Sequence, residues 1–207
     1  VYISDIGKWC AIDFLSPETN PLYYADNLYL NGELVTDIVI PEWVSSISVY
    51  TFVGLPNLKS IKVDEKNANY TSVDGVLFNK DKTILIKYPG SKPELEYTIP
   101  DGVISIGSSK MVTNGLEITT YEDWDAFSNS KNLRSITIPD SLTSMHGEAF
   151  SGCTNLVSIV VSDGNSGYSS VDGVLFNKDK TQLFRYPKNK ASTDYVIPDS
   201  VTKIYGY

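Results

Sequence analysis

The sequence predicts a repeat solenoid, on three observations. Twelve residues, SVDGVLFNKDKT, occur unchanged at 72–83 and again at 170–181. The apolar strand ends Ile40, Val63, Ile99, Ile138, Val161 and Ile197 are spaced by 23, 36, 39, 23 and 36 residues, so the first two steps recur as the last two. The large unit is therefore 98 residues, which is also the offset between the two copies of the twelve-residue stretch. Self-similarity at a fixed period marks units that cannot bury their apolar face alone and must stack on their neighbours.

Within each unit the elements follow a fixed order. NLKSIKV (57–63), NLRSITI (132–138) and NLVSIVV (155–161) share L-x-x-I-x-[IV], whose last three positions alternate as a half-buried strand requires. In this register Val39, Lys62, Thr98, Thr137, Val160 and Val196 form one outward row, and Asp37, Ser60, Glu96, Ser135, Ser158 and Asp194 form another. Ile-Pro follows at 40–41, 99–100, 138–139 and 197–198, and proline has no amide with which to continue a ladder. A second apolar pair comes next, Val44/Ile47, Val103/Ile106, Leu142/Met145 and Val201/Ile204. Helical-turn signals then stand at Thr51-Phe52, Ala126-Phe127 and Ala149-Phe150.

The pattern N-L-x-S-I-x-[IV]-P-x-x-V-x-x-I followed by A-F-x-G-C-x-N-L, clearest over 132–156, resembles the BspA-like leucine-rich repeats of bacterial and protist surface proteins. The 36-residue variant carrying Y-x-S-V-D-G-V-L-F-N-K-D-K-T is also similar to that family. The resemblance implies a right-handed superhelix with a parallel β-sheet on one face, short helical or irregular segments on the other, and inserted β-hairpins. It also implies a non-catalytic binding module, extracellular or at the cell surface, that adheres to host or matrix proteins and needs no cofactor. The alternative is a carbohydrate-binding or passive spacer domain of a larger surface protein. The chain departs from the pattern in two ways: the unit from Ile99 to Ile138 is 16 residues too long, and Leu55 or Ser130 stands where cysteine is usual.

The array is expected to run from 34 to 207, preceded by a capping segment over 1–33. In that segment Ser4 is the expected N-cap of a short helix presenting Ile6, Trp9 and Cys10 on one face. A loop with two prolines follows, then a hairpin through Asn31-Gly32, the signal for a type I′ turn. The last coil stops before its Ala-Phe position, so the sequence reads as a piece of a longer chain.

Charge narrows the partners. A net charge of −8 with a pI near 4.6 disfavours nucleic acid and anionic lipid. No apolar run approaches the roughly 18 residues a membrane helix needs. Cys10 and Cys153 form neither a disulfide framework nor a zinc pattern. His146 is the sole histidine and occupies a position held elsewhere by Ser48, Gly107 and Tyr205, which reads as surface. Asn79, Asp81 and Thr83 alternate like the oxygen ligands of a cation loop, but Lys80 and Lys82 intervene and strands flank them, so the stretch reads as a hairpin turn. The only acidic outward positions, Asp37, Glu96 and Asp194, belong to separated units and offer no carboxylate pair. Asn69-Tyr70-Thr71 matches a glycosylation sequon, which bears on function only in a eukaryotic secretory path.

The 16-residue excess lies within 108–125 and breaks the repeat rule, which is where function tends to sit. Its Met111, Tyr121 and Trp124, with Glu122 and Asp123 beside them, are the candidate binding residues. Tyrosine and tryptophan anchor protein interfaces and also stack on sugars. The competing reading is that Trp124 is buried against a neighbouring coil.

Overall fold

The computed structural model describes residues 1–107, 126–145, 149–191 and 194–205, together with the backbone of 111–113 and 116–118. Short parallel strands stack in the predicted register. Asp37–Ile40 pairs with Ser60–Val63, placing Asp37 beside Ser60 and Val39 beside Lys62. Glu96–Thr98, Ser135–Ile138 and Ser158–Val161 form a second parallel ladder in which Thr137 lies between Thr98 and Val160. Ile136, Ile138 and Ile159 are sealed in the core, whereas Ser135 and Thr137 remain half-exposed. The Ile-Pro stops close each strand with a turn, the Val44, Val103 and Leu142 amides donating to the Pro41, Pro100 and Pro139 carbonyls at 3.2–3.3 Å.

The duplicated stretch occupies the place between the ladders. Tyr70–Val73, Val76–Asn79 and Ile84–Lys87 form an antiparallel meander, repeated as Tyr168–Val171, Val174–Asn177 and Gln182–Arg185. Its Asp-Gly tip lies against the preceding ladder strand: the Ile61 amide donates to the Gly75 carbonyl at 2.8 Å, and the Ile159 amide to that of Gly173 at 2.9 Å. The Ser72 and Ser170 hydroxyls accept from the Val63 and Val161 amides two residues further along. Asp74-Gly75 and Asp172-Gly173 all have positive φ, the requirement of a tight two-residue hairpin turn. A hairpin tip thus fills one rung of an otherwise parallel sheet.

Alongside the expected short helical and irregular segments, the structure adds a second set of short strands. Ile84–Lys87, Ser105–Ile106 and Ser144–Met145 pair in parallel. Of the three helical-turn signals, only Val49–Phe52 forms a 3-10 turn; 126–129 and 149–152 are plain turns. The two-residue strands are too short for an alternation signal to show in sequence. Pairing with the neighbouring coil creates them.

The N-terminal residues contribute to the same interior as the first coils. Trp9, Cys10, Phe14, Leu22 and Leu28 pack in one cluster with Ile38, Val44 and Ile61. The helix is Ile6–Cys10 and its N-cap is Asp5, not Ser4: the Asp5 carboxylate accepts from the Lys8 amide at 3.0 Å. A cap must reach the third helical amide, and only Asp5 stands three positions before it. The proline loop is ordered into two 3-10 turns, Pro17–Thr19 and Pro21–Tyr23. Asn31 and Gly32 turn the predicted hairpin, with φ of 51° and 90°. Cys10 and Cys153 are both buried, in different clusters. No helix among the described residues is long and apolar enough to cross a membrane.

Candidate functional site

The residues on either side of 108–125 are fixed in the solenoid. Gly107 is buried and donates its amide to the Leu85 carbonyl at 3.1 Å. Ala126 is fully buried and accepts from the Tyr88 amide at 2.8 Å, while the Phe127 amide donates to Ala149 at 3.0 Å. Between these anchors Met111–Thr113 pairs antiparallel with Leu116–Ile118, Met111 facing Ile118 in the register. The excess residues therefore include a further inserted hairpin. Asn114-Gly115 between two alternating runs is the signal that could have found it, the same signal read at 31–32. Tyr121, Glu122, Asp123 and Trp124 lie outside the described residues, as does His146; the side chain of Met111 lies outside them too.

Aromatic packing fixes the coils that hold Ala126 and Phe127. Tyr88 stacks on Phe127 at 5.2 Å and meets Tyr97 edge-on at 4.9 Å, and Phe127 continues to Phe150 at 5.5 Å. Burial drives the Tyr88 and Tyr97 phenols well above their ordinary range, with nearby negative charge a smaller cause. These rings are scaffold.

Other candidates resolve into structural parts. In NKDKT, Asn79 accepts from the Ile84 amide and donates to the Thr83 hydroxyl, both at 2.8 Å. Lys80 donates to the Asn67 carbonyl at 2.5 Å, and Lys82 takes a positive φ of 57°. The second copy repeats these contacts through Asn177 and Lys178. The stretch is a braced turn. On the sheet face the in-register neighbours of the carboxylates are serines, Ser60 beside Asp37 and Ser135 beside Glu96. No group of His, Cys, Asp and Glu among the described residues could hold a metal ion. The sequon Asn69 is exposed and donates to the Ser45 carbonyl at 2.7 Å.

Sequence reasoning missed two buried asparagines, Asn67 and Asn165, each of which ties a hairpin to the coil before it. Their signal was available: the two stand 98 residues apart, each three residues before the tyrosine of its copy.

The model of the BspA type leucine-rich repeat region matches residues 24–98 and 95–194 in six copies. The chain belongs to the BspA-type leucine-rich repeat family. Among solved structures it is similar to a leucine-rich cell surface protein from Faecalibacterium prausnitzii, at 22% identity and a TM-score of 0.51, over 88% of this chain and 42% of that one. It is also similar to the pneumococcal vaccine antigen PcpA, at 24% identity and a TM-score of 0.48, over 83% of this chain and 42% of the other. A leucine-rich repeat protein from Eubacterium ventriosum matches at 23% identity and a TM-score of 0.44, over 86% and 59%. This chain spans less than two thirds of each of these proteins. No curated protein matches it. For the BspA-type chain the likeness to the Faecalibacterium protein shows the shared fold, a β-solenoid of stacked parallel strands.

Proposed function

We propose that this BspA-type chain is a non-catalytic binding module, extracellular or at the cell surface, that adheres to a host or extracellular-matrix protein through the 108–125 segment. The observation that carries the reading is the break in the repeat. A 16-residue excess containing the Met111–Thr113 and Leu116–Ile118 hairpin stands in the sequence between Gly107 and Ala126, both held by backbone hydrogen bonds. The copied parts of the chain are consumed by turns and packing, whereas this part has no copy. Its Tyr121 and Trp124, flanked by Glu122 and Asp123, have the composition of an interface anchor with a polar rim. The description of the Faecalibacterium protein as a cell surface protein supports the location. Residues 1–33 serve in this reading as the cap, supported by the packing of Trp9, Cys10, Leu22 and Leu28 against the first coil.

Surface plasmon resonance against a panel of matrix proteins tests the reading, comparing the unaltered chain with Trp124→Ala and Tyr121→Ala. Loss of about tenfold or more in affinity in both variants is expected of hot-spot aromatics. Unchanged binding would remove the segment from the account, and a glycan-array response without any protein ligand would move the chain to the carbohydrate-binding alternative.

A further inference from the structure

Charge along the chain is uneven. Residues 1–58 contain seven acidic side chains and a single basic one, Lys8, for a net charge of −6, while the remaining 149 residues carry only −2. None of these seven carboxylates sits in an ion pair among the described residues. The same end displays aromatic rings: Tyr2 is 75% exposed, Tyr24 75% and Trp43 54%.

Two relationships organise these rings. In the small sheet Tyr2–Ile3, Tyr29–Leu30 and Glu33–Leu34, register pairs Tyr2 with Tyr29 and Tyr29 with Leu34, so the three side chains form one stripe across adjacent strands. Tyr2 and Tyr29 stack nearly parallel at 4.8 Å, which leaves the far face of the Tyr2 ring open to solvent. Trp43 lies over the start of the helix: a Cβ built on Gly7 would sit 2.7 Å from its ring and 3.3 Å from the Asp5 carboxylate. Three residues of chain, at most about 11 Å when extended, separate Tyr2 from Asp5. Glu33 and Glu42 precede Leu34 and Trp43 in the chain, Asp37 opens the strand Asp37–Ile40, and all three are exposed.

We infer that this end of the molecule is a docking surface for an extended, arginine-rich segment of another protein. Open tyrosine and tryptophan faces attract a guanidinium plane, and carboxylates without an ion-pair partner accept its fork of donors. The apolar stripe Tyr2–Tyr29–Leu34 covers the aliphatic stems of long cationic side chains. Nucleic acids and anionic lipid surfaces are repelled by the same charge. The surface is separate in sequence from 108–125, and the inference stands or falls independently of the adhesion reading.

The test uses the full chain and a fluorescent peptide of alternating arginine and serine, with an alternating glutamate and serine peptide of equal length as the control. Anisotropy titrations should show binding of the arginine peptide alone, weakening steeply as salt is raised from about 50 to 200 mM. Tyr2→Ser, at an exposed position, and the pair Glu33→Gln with Asp37→Asn should each weaken binding about tenfold or more. Asp179→Asn with Asp199→Asn, an equal charge change at exposed positions in the second copy, should leave it within about twofold. Circular dichroism melts confirm that each variant is folded. Equal weakening by the two pairs would overturn the inference in favour of diffuse attraction to an acidic protein. Indifference to Tyr2→Ser, no binding of the arginine peptide, or a neutral glycan lost on Tyr2→Ser would overturn it as well.

Discussion

The Asn165 side-chain amide donates to the Pro139 carbonyl at 2.7 Å, from a position 26 residues further along the chain. It donates also to Leu142 at 2.9 Å, and its oxygen accepts from the Gly167 and Tyr168 amides. Asn67 makes the equivalent four bonds to Pro41, Val44, Asn69 and Tyr70. Each asparagine therefore closes its own turn and clamps the preceding proline turn with the same amide. Asn165→Ala removes all four of these bonds, taking from the Leu142 carbonyl and the Gly167 and Tyr168 amides the partner that the side chain supplies, and should cost about 3 kcal/mol or more in urea unfolding. Asn69→Ala, at an exposed residue that makes a single bond to Ser45, should cost under about 1 kcal/mol.

The ladder register predicts a contrast between adjacent residues. Ile136 is fully buried and Thr137 is half-exposed. Ile136→Ala or Ile159→Ala should destabilise by about 2 to 5 kcal/mol through lost burial and a cavity, and Thr137→Ala by well under that. Denaturant melts that gave equal losses would place the register one residue off.

Hairpin tips give a second contrast. A Cβ on Gly173 would lie 2.6 Å from the Ser158 hydroxyl oxygen and 3.1 Å from its Cα at a φ of +77°, whereas one on Gly102 meets nothing within 4 Å at a φ of +92°. Both alanine variants bear the cost of positive φ, about 1 kcal/mol. Only Gly173→Ala also forces the tip off its rung, so it should lose clearly more in the same melt, and Gly75→Ala, against Ser60, should follow it.

Alkaline pH should weaken the fold. Burial, and secondarily the Asp5 charge, pushes the Cys10 thiol from 9.0 up to about 12. Burial also raises Tyr70 and Tyr168, partly offset by the amides of Ile47 and Met145 that donate to them. Above pH 9 the unfolded chain sheds a thiol proton that the folded chain keeps, so the unfolded state binds fewer protons and stability falls as pH rises toward 12. Cys10 alone supplies a slope of at most about 1.4 kcal/mol per pH unit in that window. Urea melts between about pH 8 and 11 should show the decline, and Cys10→Ala should flatten it.

Much of this architecture was legible in the residues. The offset of 98, the L-x-x-I-x-[IV] alternation and the Ile-Pro stops set the strands and their inward faces, because alternation and proline chemistry act within a few residues. The Asn31-Gly32 turn and the braced NKDKT turn were legible for the same local reason. Of the proposed binding residues, the sequence showed the interruption at 108–125 as a departure from period, and the structure added its anchors at Gly107 and Ala126.

Tertiary structure decided what depends on partners a coil away. The Ser105–Ile106 and Ser144–Met145 strands exist only because neighbouring coils hold them in parallel. The Asp74-Gly75 tip becomes a rung of the ladder only when Ile61 arrives beside it. Stacking also decides which apolar residues are inside: Ile99 and Ile106 are covered, whereas their counterparts Ile197 and Ile204 are 46% and 54% exposed, with no further coil over them among the described residues. A sequence repeat therefore names the residues available for a core. Whether each is buried, and whether an asparagine 26 residues on becomes a clamp, follows from hydrogen bonds and contacts between coils that no local pattern encodes.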